Sequence, residues 1–110
     1  MAGEREEMRG RVLDVKDLAA YQEGAVASRT VVLKKAGTIT AFAFDTGEGL
    51  PEHTAPFDAI VQGLEGEAEV TIGGKPLRLG EGQMVIMPAG VPHAVKALSR
   101  FRMLLTMIHE

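Results

Sequence analysis

Glycines divide most of this chain into short apolar segments. From Ala25 onward, β-branched and aromatic runs end at Gly37 and at a turn that contains Gly47 and Gly49. Six further runs follow: FDAIVQGLEG, EAEVTIGG, KPLRLGEG, QMVIMPAG, HAVKAL and RFRMLLTMI. Because short strand signals recur at this spacing with no long amphipathic helix between them, the sequence predicts an all-β fold, either an antiparallel sandwich or a barrel.

The segments outside this series carry weaker signals. Residues 1–10 are polar, and we expect a flexible N-terminus there, followed by one domain over residues 11–110. The stretch from Val12 to Gln22 has a weak helical pattern that predicts at most one short helix. Within the strand region, the Gly73-Gly74 pair predicts a tight hairpin, since glycine supplies the positive φ that two-residue turns require.

Composition excludes several classes of function. A chain of 110 residues is long enough for one core, and its net charge of −3 offers no basic surface for nucleic acid. The absence of cysteine excludes disulfides, thiolate catalysis and sulfur-ligated zinc. No apolar run approaches the roughly 20 residues of a membrane span, and the charged N-terminal stretch is unlike a signal peptide. We therefore expect a cytoplasmic protein that binds neither membrane nor nucleic acid.

Apolar residues occupy both faces of two predicted strands. In EAEVTIGG, by contrast, Glu67, Glu69 and Thr71 alternate with Ala68, Val70 and Ile72, as on a strand with one wet side. In QMVIMPAG and RMLLTMI both parities are apolar, and a barrel of this size cannot cover both faces of its own strands. The pattern favours a homodimer that covers the outer face of one sheet. The alternative is that the N-terminal segment packs across that face.

Two of the three histidines follow glycine-bounded turns. His53 comes six residues after Gly47 and thirteen before Gly66, and His93 ends the segment GQMVIMPAGVPH that begins at Gly82. His109 has no such frame, and we expect a surface role for it. Neutral imidazole is a common ligand for Zn, Ni, Cu and Fe, so His53 and His93 are the candidate site residues.

These spacings resemble the two motifs of the cupin family. The second motif matches at Gly82, Pro88, Gly90 and His93, with Ala97 in place of its asparagine. The first keeps Gly47, His53 and Gly66 but has Ala55 in place of the second histidine and Ala59 in place of the glutamate. The resemblance covers about residues 38–108. It implies a double-stranded β-helix, a jelly-roll barrel whose motif histidines point into the mouth and share a divalent metal.

Only His53 and His93 remain of the four ligands that the resemblance implies. We expect any Zn, Ni, Fe, Mn or Cu ion to be held weakly there, because the first-shell negative charge is missing. Asp58 lies next to Ala59 on the same strand, so its side chain points away from the barrel interior unless a bulge turns it inward. Glu48 and Glu52 precede His53, and we expect them to be solvated.

Small side chains at Ala55 and Ala59 predict a roomier and more apolar mouth. Large apolar residues are available to fill the barrel or line a pocket; they are Phe42, Phe44, Phe57, Met84, Met87, Phe101, Met103 and Met107. The favoured hypothesis is a barrel that binds a small organic ligand, with or without a weakly held metal. The alternatives are a metal-dependent enzyme of the dioxygenase, isomerase or decarboxylase type, and a structural or regulatory dimer.

Overall fold

A computed structural model describes residues 2–110, with the side chains of Ala2 and Glu4 excepted, and Met1 lies outside the described residues. One short helix, α1, covers Ala2–Glu7, and a single 3-10 turn covers Val15–Asp17. The strands are β1 Val26–Lys34, β2 Gly37–Phe44, β3 Gly49–His53, β4 Asp58–Glu65, β5 Glu67–Ile72, β6 Lys75–Gly80, β7 Met84–Met87, β8 His93–Ala97 and β9 Phe101–Ile108. The predicted all-β architecture with at most one short helix is confirmed.

The strands form two antiparallel sheets. The larger sheet has the order β1-β2-β9-β4-β7, and the smaller has the order β3-β8-β5-β6. Non-consecutive strands are neighbours in both sheets, which is the connectivity of a jelly roll rather than of a simple meander. The two inward faces share one core, whose largest fully buried side chains are Phe44, Phe101, Met103, Val61 and Val70.

Alternation along the strands decides which side chains enter the core. In β5, Ala68 and Val70 are buried while Glu67 and Glu69 are exposed, as the sequence predicts. The hairpin from β5 to β6 turns at Gly73 and Gly74, which have φ of 57° and 79°. The hairpin prediction is therefore confirmed, and its two positive φ values explain why both central residues are glycine.

Gly66 is required where the chain passes from β4 to β5. Its φ is 78°, in a region that residues with a Cβ adopt at a cost of roughly 1–2 kcal/mol. A Cβ built on Gly66 would also collide with the carbonyl oxygen of Arg100. The close approach of these two backbone segments holds the start of β5 against the loop before β9.

The N-terminal segment covers part of the outer face of the larger sheet. Met8, Leu18 and Ala19 form a second buried cluster with Ala41 and Ala43 of β2. This is the alternative to the homodimer that the sequence leaves open. It accounts for part of the outward apolar surface of β1, β2 and β9, namely Ala27, Val31, Ala41, Ala43 and Leu104, while Leu33 and Ile108 stay exposed. It does not cover the outward apolar residues of edge strand β7.

Strand β7 keeps two large apolar side chains in solvent. Met84 is 56% exposed and Ile86 is 55% exposed, and both lie on the face of β7 opposite to the buried Met87. The expectation that Met84 fills the barrel is therefore wrong, because the two-residue alternation of a strand points it outward.

A polar cluster fastens the N-terminal segment to the sheet. The hydroxyl of Tyr21 donates a hydrogen bond of 2.6 Å to Glu65 of β4, and the Arg102 guanidinium makes a 2.9 Å ion pair with the same carboxylate. Arg102 also donates to the carbonyl of Ala19 and lies 4.1 Å from the centroid of the Tyr21 ring. Arg102 of β9 therefore contacts Glu65, Ala19 and Tyr21 at once.

The predicted flexibility of residues 1–10 stays a prediction, as do the domain bounds. Within that stretch the structure describes α1 and a buried Met8. None of the helices in the described part of the chain is long and apolar enough to cross a membrane.

Tyr21 offers a direct test of this cluster. Burial and the hydrogen bond to Glu65 raise the pKa of Tyr21 from 10.0 to about 12. Tyr21 is the one tyrosine of the chain, which has no tryptophan, so the ultraviolet absorbance of tyrosinate reports on it alone. We expect a midpoint near pH 12 in the folded protein and near pH 10 in denaturant.

The sign of the effect on stability follows from the same shift. Because the folded state holds the proton more tightly, the contribution of Tyr21 to stability is complete below about pH 10 and is lost as the pH rises towards about 12. A tyrosinate midpoint near pH 10, in protein whose circular dichroism is still native, would contradict the burial and hydrogen bonding of Tyr21 in this cluster.

Candidate functional site

Strands β3 and β8 bring the two candidate histidines together. The strands pair antiparallel, and His53 lies directly opposite His93. A register shift between Leu50 and His53 sets this pairing at the end of β3. His93 begins β8, where alternation with Val95 and Ala97 points its side chain into the barrel. His93 is only 2% exposed, whereas His53 lies at the open rim.

Both rings are oriented by hydrogen bonds to the backbone two residues earlier. The Nδ1 atom of His53 lies 3.1 Å from the carbonyl oxygen of Pro51, and the Nδ1 atom of His93 lies 3.1 Å from that of Val91. Because a carbonyl oxygen can only accept, Nδ1 must donate in both cases. A neutral ring that carries its proton on Nδ1 leaves Nε2 unprotonated.

The two Nε2 atoms face each other at 3.2 Å, and the ring centroids are 4.4 Å apart. Two unprotonated nitrogens cannot hydrogen-bond to each other, so the pair is satisfied by a shared proton, a donor group of a ligand or a cation. Burial lowers the pKa of His93 below the usual value for imidazole, and nearby His53 lowers it further against the opposing effect of the Val91 carbonyl. The neutral form of His93 is therefore favoured at neutral pH.

An apolar cavity of about 210 Å³ opens beside the imidazole pair. Ala59 is one of its walls, and Phe42, Leu50, Val95 and Leu105 are others. Of the large apolar residues that the sequence offers, Met87, Met103 and Met107 also line it. Phe44 and Phe101 are in the core instead. Ala55 is buried but is not part of the cavity wall, so Ala59 alone accounts for the predicted room at the mouth.

The carboxylates near the site do not complete it. Asp58 faces outward and accepts a hydrogen bond of 2.9 Å from the backbone N–H of Ala89, so it braces the turn before His93 instead of joining the histidines. The bulge in β4 lies between Gly63 and Glu65, at the other end of the strand. Across residues 2–110, no three His, Asp or Glu side chains come together to hold a metal ion.

Backbone contacts fix the turn that delivers His93. Gly90 has φ of 76°, and its N–H donates to the carbonyl of Ala55 at 2.8 Å. The turn Pro88–Gly90 is thereby tied to the segment after β3, which carries His53. His109 is not part of this site; its ring packs on Phe57 with centroids 4.4 Å apart. The sequence had no signal for that contact.

The arrangement fits a metal only in part. Nitrogen ligands bind zinc at about 2.0–2.1 Å, so two Nε2 atoms 3.2 Å apart are within reach of one ion. A hydrogen bond from the other ring nitrogen to a carbonyl is also usual for metal-bound histidine. A catalytic zinc, however, typically has three protein ligands, and the described residues supply two of the nitrogen or oxygen kind.

Comparisons with known proteins agree with this fold. The family model described as "Cupin domain" matches residues 41–109. A conserved protein of unknown function from Streptococcus pyogenes is 38% identical, with a TM-score of 0.88 over 93% of this chain and 90% of that one. A cupin 2 conserved barrel domain protein from Leptotrichia buccalis is 37% identical, with a TM-score of 0.82 over 84% of this chain and 45% of that one.

A cupin superfamily protein from Desulfitobacterium hafniense is 26% identical, with a TM-score of 0.87 over 93% of this chain and 94% of that one. A search of curated proteins found no match. The comparisons therefore support the fold and the family of this chain.

Restoring a carboxylate at Ala59 tests how much of a divalent-metal site remains. We expect Ala59→Glu to bind Zn²⁺ at least about tenfold more tightly than the parent, or about 1.4 kcal/mol, because it adds a charged ligand beside the imidazole pair. Its metal-free form should melt at a lower temperature, since the unpaired carboxylate is buried. Titration calorimetry and thermal unfolding would measure both effects.

Ala59→Gln is the matched control, because it has nearly the same shape without the charge. Equal Zn²⁺ binding by the two variants would contradict the prediction, because a carboxylate at this position would then add nothing to metal binding.

Proposed function

Because this chain belongs to the cupin family, we propose that it binds a small organic molecule in the mouth of its barrel. The observation that carries the proposal is a pair of imidazole Nε2 atoms, 3.2 Å apart, in the wall of an otherwise apolar cavity. Apolar walls with a few convergent polar groups are typical of ligand sites. The walls take the body of the molecule, and His53 and His93 bind its polar end.

The size of the cavity limits the ligand. About 210 Å³ is below the roughly 300–1,000 Å³ usual for drug-sized ligands. An engineered apolar cavity of about 150 Å³ in another protein accepts benzene. A single ring or a short aliphatic chain with one substituent therefore fits.

The polar end of the ligand should donate a hydrogen bond. Neutral rings with Nδ1 engaged by a carbonyl present acceptors at Nε2, which suit a hydroxyl, an N–H group or a protonated carboxyl. If the pair holds an extra proton, it can instead bind an anionic group. Either arrangement also allows the pair to move a proton to or from a bound molecule.

A divalent metal at His53 and His93 is a secondary part of the proposal. Two neutral nitrogens with no carboxylate would hold such an ion weakly. A metal-dependent dioxygenase, isomerase or decarboxylase accordingly has less support than a binding protein, although the paired imidazoles would be its metal ligands. A purely structural role leaves the oriented imidazoles unexplained. The homodimer and the cytoplasmic location stay predictions.

Phenol and toluene test the role of the imidazole pair, because they have nearly the same shape and differ in one hydroxyl. We expect phenol to bind the parent protein about three- to tenfold more tightly than toluene, the value of one net hydrogen bond. His53→Ala should remove that preference, while His109→Ala, which changes a histidine outside the cavity, should keep it. Ligand-induced shifts in NMR spectra would give the affinities.

Ala59→Leu provides a second check, because it fills the cavity while leaving both histidines in place. We expect it to abolish binding of both compounds. Equal affinity of the parent for phenol and toluene would contradict the role of the histidines. Binding of neither compound at millimolar concentration would contradict the proposed ligand class.

A further inference from the structure

Methionine side chains line the same cavity as the two imidazoles. Met87, Met103 and Met107 all line it. Met103 and Met87 are almost completely buried, at 0% and 2% exposure, and Met107 is half-buried. The chain has six methionines, so half of them converge on this one space. Met84, a near neighbour of Met87 in sequence, points to solvent.

Two of these thioethers flank the position of the missing carboxylate. Ala59 of β4 pairs with Met87 on β7 and with Met107 on β9. All three side chains lie on the inward face of the larger sheet, opposite the strands that carry His53 and His93. Directly paired residues on one face of an antiparallel sheet have Cβ atoms about 4.5–5.5 Å apart. The space left by the small Ala59 therefore lies between two methionine side chains.

The donor set is neutral and soft. The cavity wall includes two imidazoles and three thioethers but no Asp or Glu, so no negative charge offsets the cost of removing a divalent ion from water. Thioether ligands select Cu(I), and imidazole also binds copper. We propose that His53 and His93, with Met87 and Met107, bind one Cu(I) ion in the mouth of the barrel.

The orientation of the imidazoles distinguishes a metal site from methionine side chains that merely fill the core. Methionine often does no more than fill irregular space in a core, and Met103 can have that role here. At this site, however, the methionine side chains line a cavity with two imidazoles whose Nδ1 atoms are already held by the carbonyls of Pro51 and Val91. The flexible methionine side chain can adjust its sulfur to a bound ion without moving the sheet.

This proposal goes beyond the binding of an organic molecule and can fail separately from it. Cu(I) and phenol would occupy the same cavity, but phenol binding requires no sulfur and Cu(I) binding requires no hydroxyl donor. Loss of one property therefore leaves the other open to measurement.

The test replaces sulfur without changing side-chain volume. Cu(I) affinity is measured without oxygen by competition with a chromophoric Cu(I) chelator, for the parent, for the double variant Met87→Leu/Met107→Leu and for Met84→Leu. Met-to-Leu exchanges usually cost less than about 1.5 kcal/mol of stability, so the variants should stay folded, which circular dichroism would check. Copper K-edge X-ray absorption then identifies the bound atoms.

We expect one Cu(I) per chain in the parent, with both nitrogen and sulfur scatterers. The double variant should lose about tenfold or more in affinity, and the matched surface variant Met84→Leu should keep the parent value. His53→Ala should also weaken binding. The proposal is overturned if the parent does not compete for Cu(I), if the double variant binds as the parent does, or if the bound ion shows no sulfur neighbour.

Discussion

The site depends on two hydrogen bonds between imidazole Nδ1 atoms and backbone carbonyls. Each histidine donates to the carbonyl two residues before it, His53 to Pro51 and His93 to Val91. These bonds choose the tautomer and turn both Nε2 lone pairs towards one point, where they stand 3.2 Å apart. Every chemical property argued for the cavity, from hydrogen-bond acceptance to metal binding, follows from that convergence.

The rest of the barrel holds the two rings in place. Antiparallel pairing of β3 with β8 puts His53 opposite His93, and the turn at Gly90 is tied to Ala55 by a backbone hydrogen bond. Asp58, which is adjacent in sequence to the position of the missing carboxylate, instead accepts a hydrogen bond from the N–H of Ala89 in that same turn. On the far side, Tyr21, Glu65 and Arg102 fasten the N-terminal segment to the larger sheet. The missing carboxylate thus changes which side chains line the mouth of the barrel without changing the strands and turns that form it.

The sequence predicts the strands and turns of the barrel better than the side chains that meet in its mouth. Glycine spacing and two-residue alternation suffice for the all-β fold, the hairpin at Gly73 and Gly74 and the buried face of β5, because those patterns are local. The family resemblance identifies His53 and His93 as the pair to examine. Local patterns do not show that Met84 faces solvent while Met87 and Met107 border Ala59, since that depends on which strands pair. For the same reason the sequence does not predict the contact of His109 with Phe57. It offers the cover of the larger sheet by the N-terminal segment only as the alternative to a homodimer.

The protonation state of the two rings tests the central claim most directly. Long-range proton–nitrogen NMR correlations distinguish the two neutral tautomers of histidine, and the chain has only three histidines, which His53→Ala and His109→Ala would assign. In metal-free and ligand-free protein above neutral pH, we expect both His53 and His93 to carry their proton on Nδ1. A neutral ring that carries its proton on Nε2 instead of Nδ1 would contradict the account, because the two lone pairs would then not converge.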